Sequence, residues 1–166
     1  MTISNLFVRL KSAKANKVGK YATGKIGYEI LTNEAKDQVY FRITSNDSSG
    51  WFSRELLSFD AIKSCIYGTA ACDVMLSKCL APAFKSRSAN NAGFLAAALR
   101  AEGLLLPAPE QISRHTLGAD WTAWKLKMME LPNETIELGA DVMVKRAVPA
   151  STETLGKEGS TETDNP

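Results

Sequence analysis

Three consecutive stretches decide the fold class: Tyr21–Leu31 (YATGKIGYEIL), Thr32–Asp37 (TNEAKD) and Gln38–Thr44 (QVYFRIT). In the first, Ile26, Tyr28 and Ile30 recur at every second residue, so they share one face of a strand. In the last, Val39, Phe41 and Ile43 share one face and Tyr40, Arg42 and Thr44 the other. The polar segment between them suits a chain reversal. Upstream, Ile3 to Leu10 alternates in part and leads into Lys11–Lys20, a segment of lysines and small residues. Downstream, Ser45–Gly50 has turn composition, and Trp51–Leu57 is a candidate fourth strand. The expectation is an N-terminal antiparallel meander of three or four strands.

Helical patterns follow. Ser58 or Asp60 can cap a helix that runs through Cys65, Cys72 and Cys79 to about Leu80, where Pro82 stops it. Ser88–Glu102 is alanine-rich and ends before Gly103, a C-cap residue. Glu110–Thr116 is read as a short helix, and Asp120 as the cap of Trp121–Leu131, with Trp121, Trp124, Met128 and Leu131 at helical spacing. Thr135–Ala147 is read as two short strands around Gly139, a C-terminal hairpin. From Pro149 onward the chain is too polar to bury a core. The expected architecture is α+β: a single domain over residues 1–148, its meander packed against about four helices, and a disordered acidic tail over 149–166.

Composition bounds the function. The chain has 166 residues, 45% apolar and 23% charged, which excludes collagen-like, mucin-like and wholly disordered classes. No apolar run reaches the roughly 18 residues that a membrane-spanning helix needs. Leu6-Phe7-Val8 is followed by Arg9 and Lys11, which builds no signal core, so a cytoplasmic home without a membrane partner is expected. The net charge of +2 hides an asymmetry: residues 1–28 carry +6 with no acid, residues 29–146 carry −1 and residues 147–166 carry −3. The three cysteines lie seven residues apart. On one helix that spacing sets consecutive thiols about 10.5 Å apart, too far to share a zinc ion. They are read as small apolar core residues, with no metal and no cofactor.

The basic segment is the strongest functional signal. Arg9, Lys11, Lys14, Lys17, Lys20 and Lys25 lie within 17 positions, interleaved with small residues and joined by Tyr21. Such a strand–loop suits an anionic partner, nucleic acid or an acidic protein surface, bound mainly through charge and hence in a salt-sensitive way. Tyrosines there can stack on unpaired bases. The plainer alternative is a solvated lysine segment that keeps an edge strand from aggregating. Trp51, Phe52 and Arg54, after the Asn46–Gly50 turn, form a second candidate, a hairpin tip that anchors a protein partner. Its plain alternative, that Trp51 folds back onto the helices, is favoured.

Phe94–Leu106 (FLAAALRAEGLLL) resembles the helix–Gly–strand step of winged-helix domains, which would make this helix a groove reader. Only Ser86, Arg87, Ser88, Asn90, Asn91 and Arg100 are available to such a face, so core packing is the favoured reading. His115, the lone histidine, is the one unperturbed near-neutral base. No nucleophile elbow, phosphate loop or His-Glu-x-x-His pair accompanies it, and it is read as a surface or capping residue. The reading favoured is therefore a non-catalytic accessory or regulatory protein contacting nucleic acid or a nucleoprotein complex. A protein-interaction or inhibitor module using the Trp51 hairpin and the sheet edge is the alternative.

Overall fold

The computed structural model describes residues 6–19, 21–68, 73–132 and 134–138. The expected acidic tail over 149–166, Lys20 and Cys72 lie outside them. Strands β1 (Leu6–Asn16), β2 (Lys25–Asn33) and β3 (Val39–Asn46) form the antiparallel meander. β4 (Leu57–Ser58) pairs with β3 on one side, and β7 (Glu134–Glu137) pairs with β1 on the other, giving the order β4-β3-β2-β1-β7.

One face of this sheet carries the period-two residues seen in the sequence. Ile26, Tyr28, Ile30, Val39, Phe41 and Ile43 are all buried there. Against them pack α1 (Phe59–Gly68), a 3₁₀ helix (Ser77–Ala83), α2 (Asn91–Ala101) and α3 (Trp121–Met129). Phe41 and Phe59 stack on Trp124 at ring separations of 5.5 and 5.4 Å, which joins sheet to helices. Ser58 caps α1 by accepting from the Ala61 N–H at 3.1 Å, and Asp120 caps α3 by accepting from Ala123 at 3.0 Å. Gly103 follows α2 at φ +77°, the left-handed conformation a helix C-terminus requires.

The α+β architecture, with a meander against four helices, is as expected. Several elements differ from the expectation. The expected helix does not run on to Leu80: α1 spans Phe59–Gly68, and Met75 is extended, paired with His115 in an antiparallel bridge. Cys65 is on α1 and Cys79 on the 3₁₀ helix, so the two do not share a helical stripe, and Pro82 sits inside that 3₁₀ helix. Glu110–Thr116 is not helical. Gln111–Leu117 is β6, paired with β5 (Leu105–Ala108) in a hairpin whose turn holds Glu110 at φ +62°. This hairpin lies upstream of the one expected at Thr135–Ala147. There the structure gives β7, and the second half lies outside the described residues. Of Trp51–Leu57 only Leu57 is strand, the first residue of β4, so Trp51 is not a hairpin tip.

Among the described residues, no helix is long and apolar enough to cross a membrane. The helix–hairpin order α2-β5-β6 matches the winged-helix step in outline. However, Phe94 to Leu99 are all buried, so α2 is a core helix and presents no reading face.

Candidate nucleic-acid interface

A bulge in β1 sorts the cations. The pairing of β1 with β2 shifts between Arg9 and Lys11, so core-facing positions pass from Val8 and Leu10 to Lys11, Ala13 and Ala15. Arg9 stays on the outer face, where its Nε lies 3.0 Å from Glu29; Arg42 from β3 approaches the same carboxylate at 2.5 Å. Lys11 turns inward, and its Nζ lies 2.8 Å from Glu102, whose side chain is 3% exposed. Glu102 also accepts from the Tyr28 hydroxyl at 2.5 Å and from Trp124 Nε1 at 3.3 Å. Burial and this carboxylate raise the Tyr28 phenol far above its usual range. Arg9 and Lys11, both partly exposed, are thus each engaged by a carboxylate of the protein's own, Glu29 and Glu102.

The other described basic-segment residues lie toward the β1–β2 turn. Lys14 and Lys25 are exposed, and Tyr21 is 85% exposed. The Lys17 N–H donates to Gly24 O at 3.1 Å, closing a loop whose Gly19 and Gly24 take positive φ. The loop is pinned to the end of β3 through Asp47: its Oδ2 accepts from the Lys25 N–H at 3.1 Å, and its own N–H donates to Lys25 O at 3.0 Å. The Lys17 ammonium donates to the Ser48 hydroxyl and stands 5.4 Å above the Phe94 ring.

Phe94 brings the second candidate site to the first. Phe52 packs on it at 6.1 Å, and Arg54 lies 5.5 Å from the Phe52 ring centre. Trp51 is 38% exposed, and its carbonyl accepts from Ser88 Oγ at 2.7 Å and Asn90 Nδ2 at 2.9 Å. The amide that would cap α2 is used instead to hold Trp51 against the turn before the helix. The two segments read apart in the sequence are therefore joined at Phe94, which meets both Lys17 and Phe52.

The region around this junction includes residues the sequence reading did not select. Glu55, buried, accepts from the backbone N–H groups of Lys85 at 2.6 Å and Ser86 at 3.3 Å, and from Ser53 Oγ at 2.6 Å. Asn91 accepts from the Ser53 N–H at 2.9 Å and donates to Ser86 Oγ at 2.9 Å. This network fixes the turn Lys85–Asn90 and leaves the Lys85 and Arg87 side chains exposed. A cleft of about 250 Å³, lined by Lys17, Asn46, Ser48 and Asn90, opens on one side of the turn. A cleft of about 480 Å³, lined by Lys85, Arg87 and Ser88, opens on the other. Neither lining includes a carboxylate. A cue was available: residues 74–101 hold Lys78, Lys85, Arg87 and Arg100 and no acid.

His115 is neither a surface nor a capping residue, because its strand pairs with Met75 and carries it to 1% exposure. Its Nδ1 accepts from Arg100 Nε at 2.9 Å, and its Nε2 lies 2.7 Å from Ser77 Oγ. A guanidinium only donates, so Nδ1 carries the lone pair and Nε2–H faces the hydroxyl. In that tautomer the ring cannot take the proton of Ser77. Burial first, then the Arg100 charge, lowers its pKa to about 4.

Comparison with protein-family models, curated proteins and solved structures finds no match.

Proposed function

We propose that this is a non-catalytic accessory or regulatory protein that contacts nucleic acid, or a nucleoprotein complex, through its basic strand–loop region. The observation that carries the reading is the convergence of exposed Lys14, Lys17-lined cleft and Lys25 with exposed Tyr21 and Trp51 at one end of the sheet. Cations supply sequence-independent attraction to phosphates, and exposed rings supply stacking. The test is binding of labelled DNA and RNA, single- and double-stranded, across a salt series. For the variant Lys14→Ala/Lys17→Ala/Lys25→Ala, affinity should drop for every sequence, and the salt slope should fall by about 2–3 if each lysine meets one phosphate. A wild-type protein that binds none of these probes at low salt would refute the proposal.

The alternative, a protein-interaction or inhibitor module, has one observation in its favour. Among the described residues, β7 pairs with β1 only over Leu6–Arg9, so β1 from Leu10 to Asn16 has one edge without a partner strand. Under that reading, Trp51→Ser would abolish a protein complex that the triple lysine variant leaves intact.

A further inference from the structure

We infer that the turn Lys85–Asn90 is a second phosphate-binding element of the same surface, and that the nucleic acid taken there is single-stranded. The inference rests on the nucleic-acid reading above and adds Lys85, Arg87 and Asn90 to it. The turn has a cleft on each side: one holds Lys17 with the amides of Asn46 and Asn90, the other Lys85, Arg87 and the Ser88 hydroxyl. Every charged side chain lining the two clefts is a cation, and the Asn46 and Asn90 amides each have a second N–H beyond the one given to the Gly50 and Trp51 carbonyls. Two acids adjoin the clefts: Asp47, whose carboxylate accepts from the Lys25 N–H, and the buried Glu55. The Glu55 carboxylate is taken up by the two backbone N–H groups and the Ser53 hydroxyl beneath the turn. The turn is braced from below by those bonds, so its outward side chains are presented from a fixed backbone.

Strandedness follows from what adjoins the clefts. Ser88 and Asn90 grip the Trp51 carbonyl, which holds the backbone of this partly exposed residue beside the turn. An exposed ring adjoining a phosphate seat can stack on a base only where the base face is open, as in a single strand. A duplex buries those faces, and α2, the element that would have entered a groove, is packed in the core.

The experiment compares wild type, Lys85→Ala/Arg87→Ala and Lys14→Ala/Lys17→Ala/Lys25→Ala on a fluorescent 15-mer of thymidine and on a 15-base-pair duplex. Loss of two single-strand contacts should lower affinity about 10- to 30-fold at 0.1 M salt and reduce the salt slope by about 1.4. Lys85→Arg/Arg87→Lys should restore both, since charge is what the phosphate reads. Trp121 and Trp124 are buried, so quenching of tryptophan fluorescence by the 15-mer should come from Trp51 and vanish in Trp51→Phe. Thermal melts confirm that each variant folds. If Lys85→Ala/Arg87→Ala binds the 15-mer like wild type while the triple lysine variant does not, this inference falls and the functional reading stands. Preference for the duplex, or binding without quenching, removes the single-strand assignment. Absence of binding to either probe removes both readings.

Discussion

Acidification should destabilise this protein through one imidazole. His115 is the single histidine of the chain, buried, with Nδ1 accepting from Arg100 and Nε2 beside Ser77. Protonation would turn the Nδ1 acceptor into a donor facing a guanidinium and add a charge where water is excluded. The folded-state pKa is lowered from 6.5 to about 4, so the unfolded chain takes up the proton first as pH falls. Stability from this group is therefore complete above pH 6.5 and declines as pH drops toward 4. Each pH unit between those limits is worth about 1.4 kcal/mol, so roughly 2 kcal/mol is lost by pH 5 and roughly 3 in all. Carboxylates titrate in the lower part of the range, so the comparison is with His115→Gln, which keeps an acceptor for Arg100 and does not titrate. Urea unfolding of both proteins at intervals from pH 7.5 to 5 should give a declining difference in stability. A direct check is the single histidine Hε1 resonance, which should not move between pH 8 and 5.5 in the folded protein. A midpoint near 6.5, or parallel pH profiles for wild type and His115→Gln, would refute the buried neutral tautomer.

Three further outcomes are open to measurement. Lys11→Met keeps the stem but removes the charge beside Glu102; with the lysine partly exposed, the loss should be about 1–2 kcal/mol. A cycle with Glu102→Gln should show coupling, and the nucleic-acid salt slope should stay unchanged; a lowered slope would return Lys11 to the interface. Gly118→Ala would set a Cβ 2.1 Å from the Gly103 carbonyl oxygen and should cost about 2–3 kcal/mol, whereas Gly68→Ala meets no atom within 4 Å and should be neutral or gain up to about 1 kcal/mol. Equal melting temperatures for the two variants would contradict the packing of the Gly103 and Gly118 turns. Burial raises the Cys65 thiol, so at pH 8 it should react with a thiol reagent more slowly in native protein than in urea. Equal rates would place Cys65 at the surface.

Local pattern carried the meander and the last helix. Ile26, Tyr28, Ile30 and Val39, Phe41, Ile43 alternate because their strands bury one face, and Asp120 with Trp121, Trp124 and Met128 marks a capped helix with one buried stripe. What escaped depends on partners distant in sequence. Gln111–Leu117 is mostly exposed and polar, so it has no strand periodicity, and only pairing with Leu105–Ala108 and Met75 makes it a strand. That same pairing holds Met75 extended, where the sequence pattern predicts helix. The basic segment was legible as charge but not as geometry, since the bulge at Leu10 decides which cations turn inward. Trp51 and the lysine loop read as separate sites because Phe94, which joins them, lies more than 40 residues away from either.

The Lys11–Glu102 pair also bears on how β1 finds its place. Beyond Leu10 the strand is Lys-Ser-Ala-Lys-Ala-Asn, and Ala13 and Ala15 are interchangeable in volume and polarity. Slippage by two residues would keep alanine against the core and the same residues outward, so apolar burial barely opposes it. It would, however, move the cation along β2 from Ile30 to Thr32, by roughly 6.8 Å, and strand a buried carboxylate. Electrostatics thus gauges a strand that hydrophobicity leaves ambiguous. Lys14 and the loop that starts at Lys17 inherit their positions from a lysine that points to the helix side of the sheet.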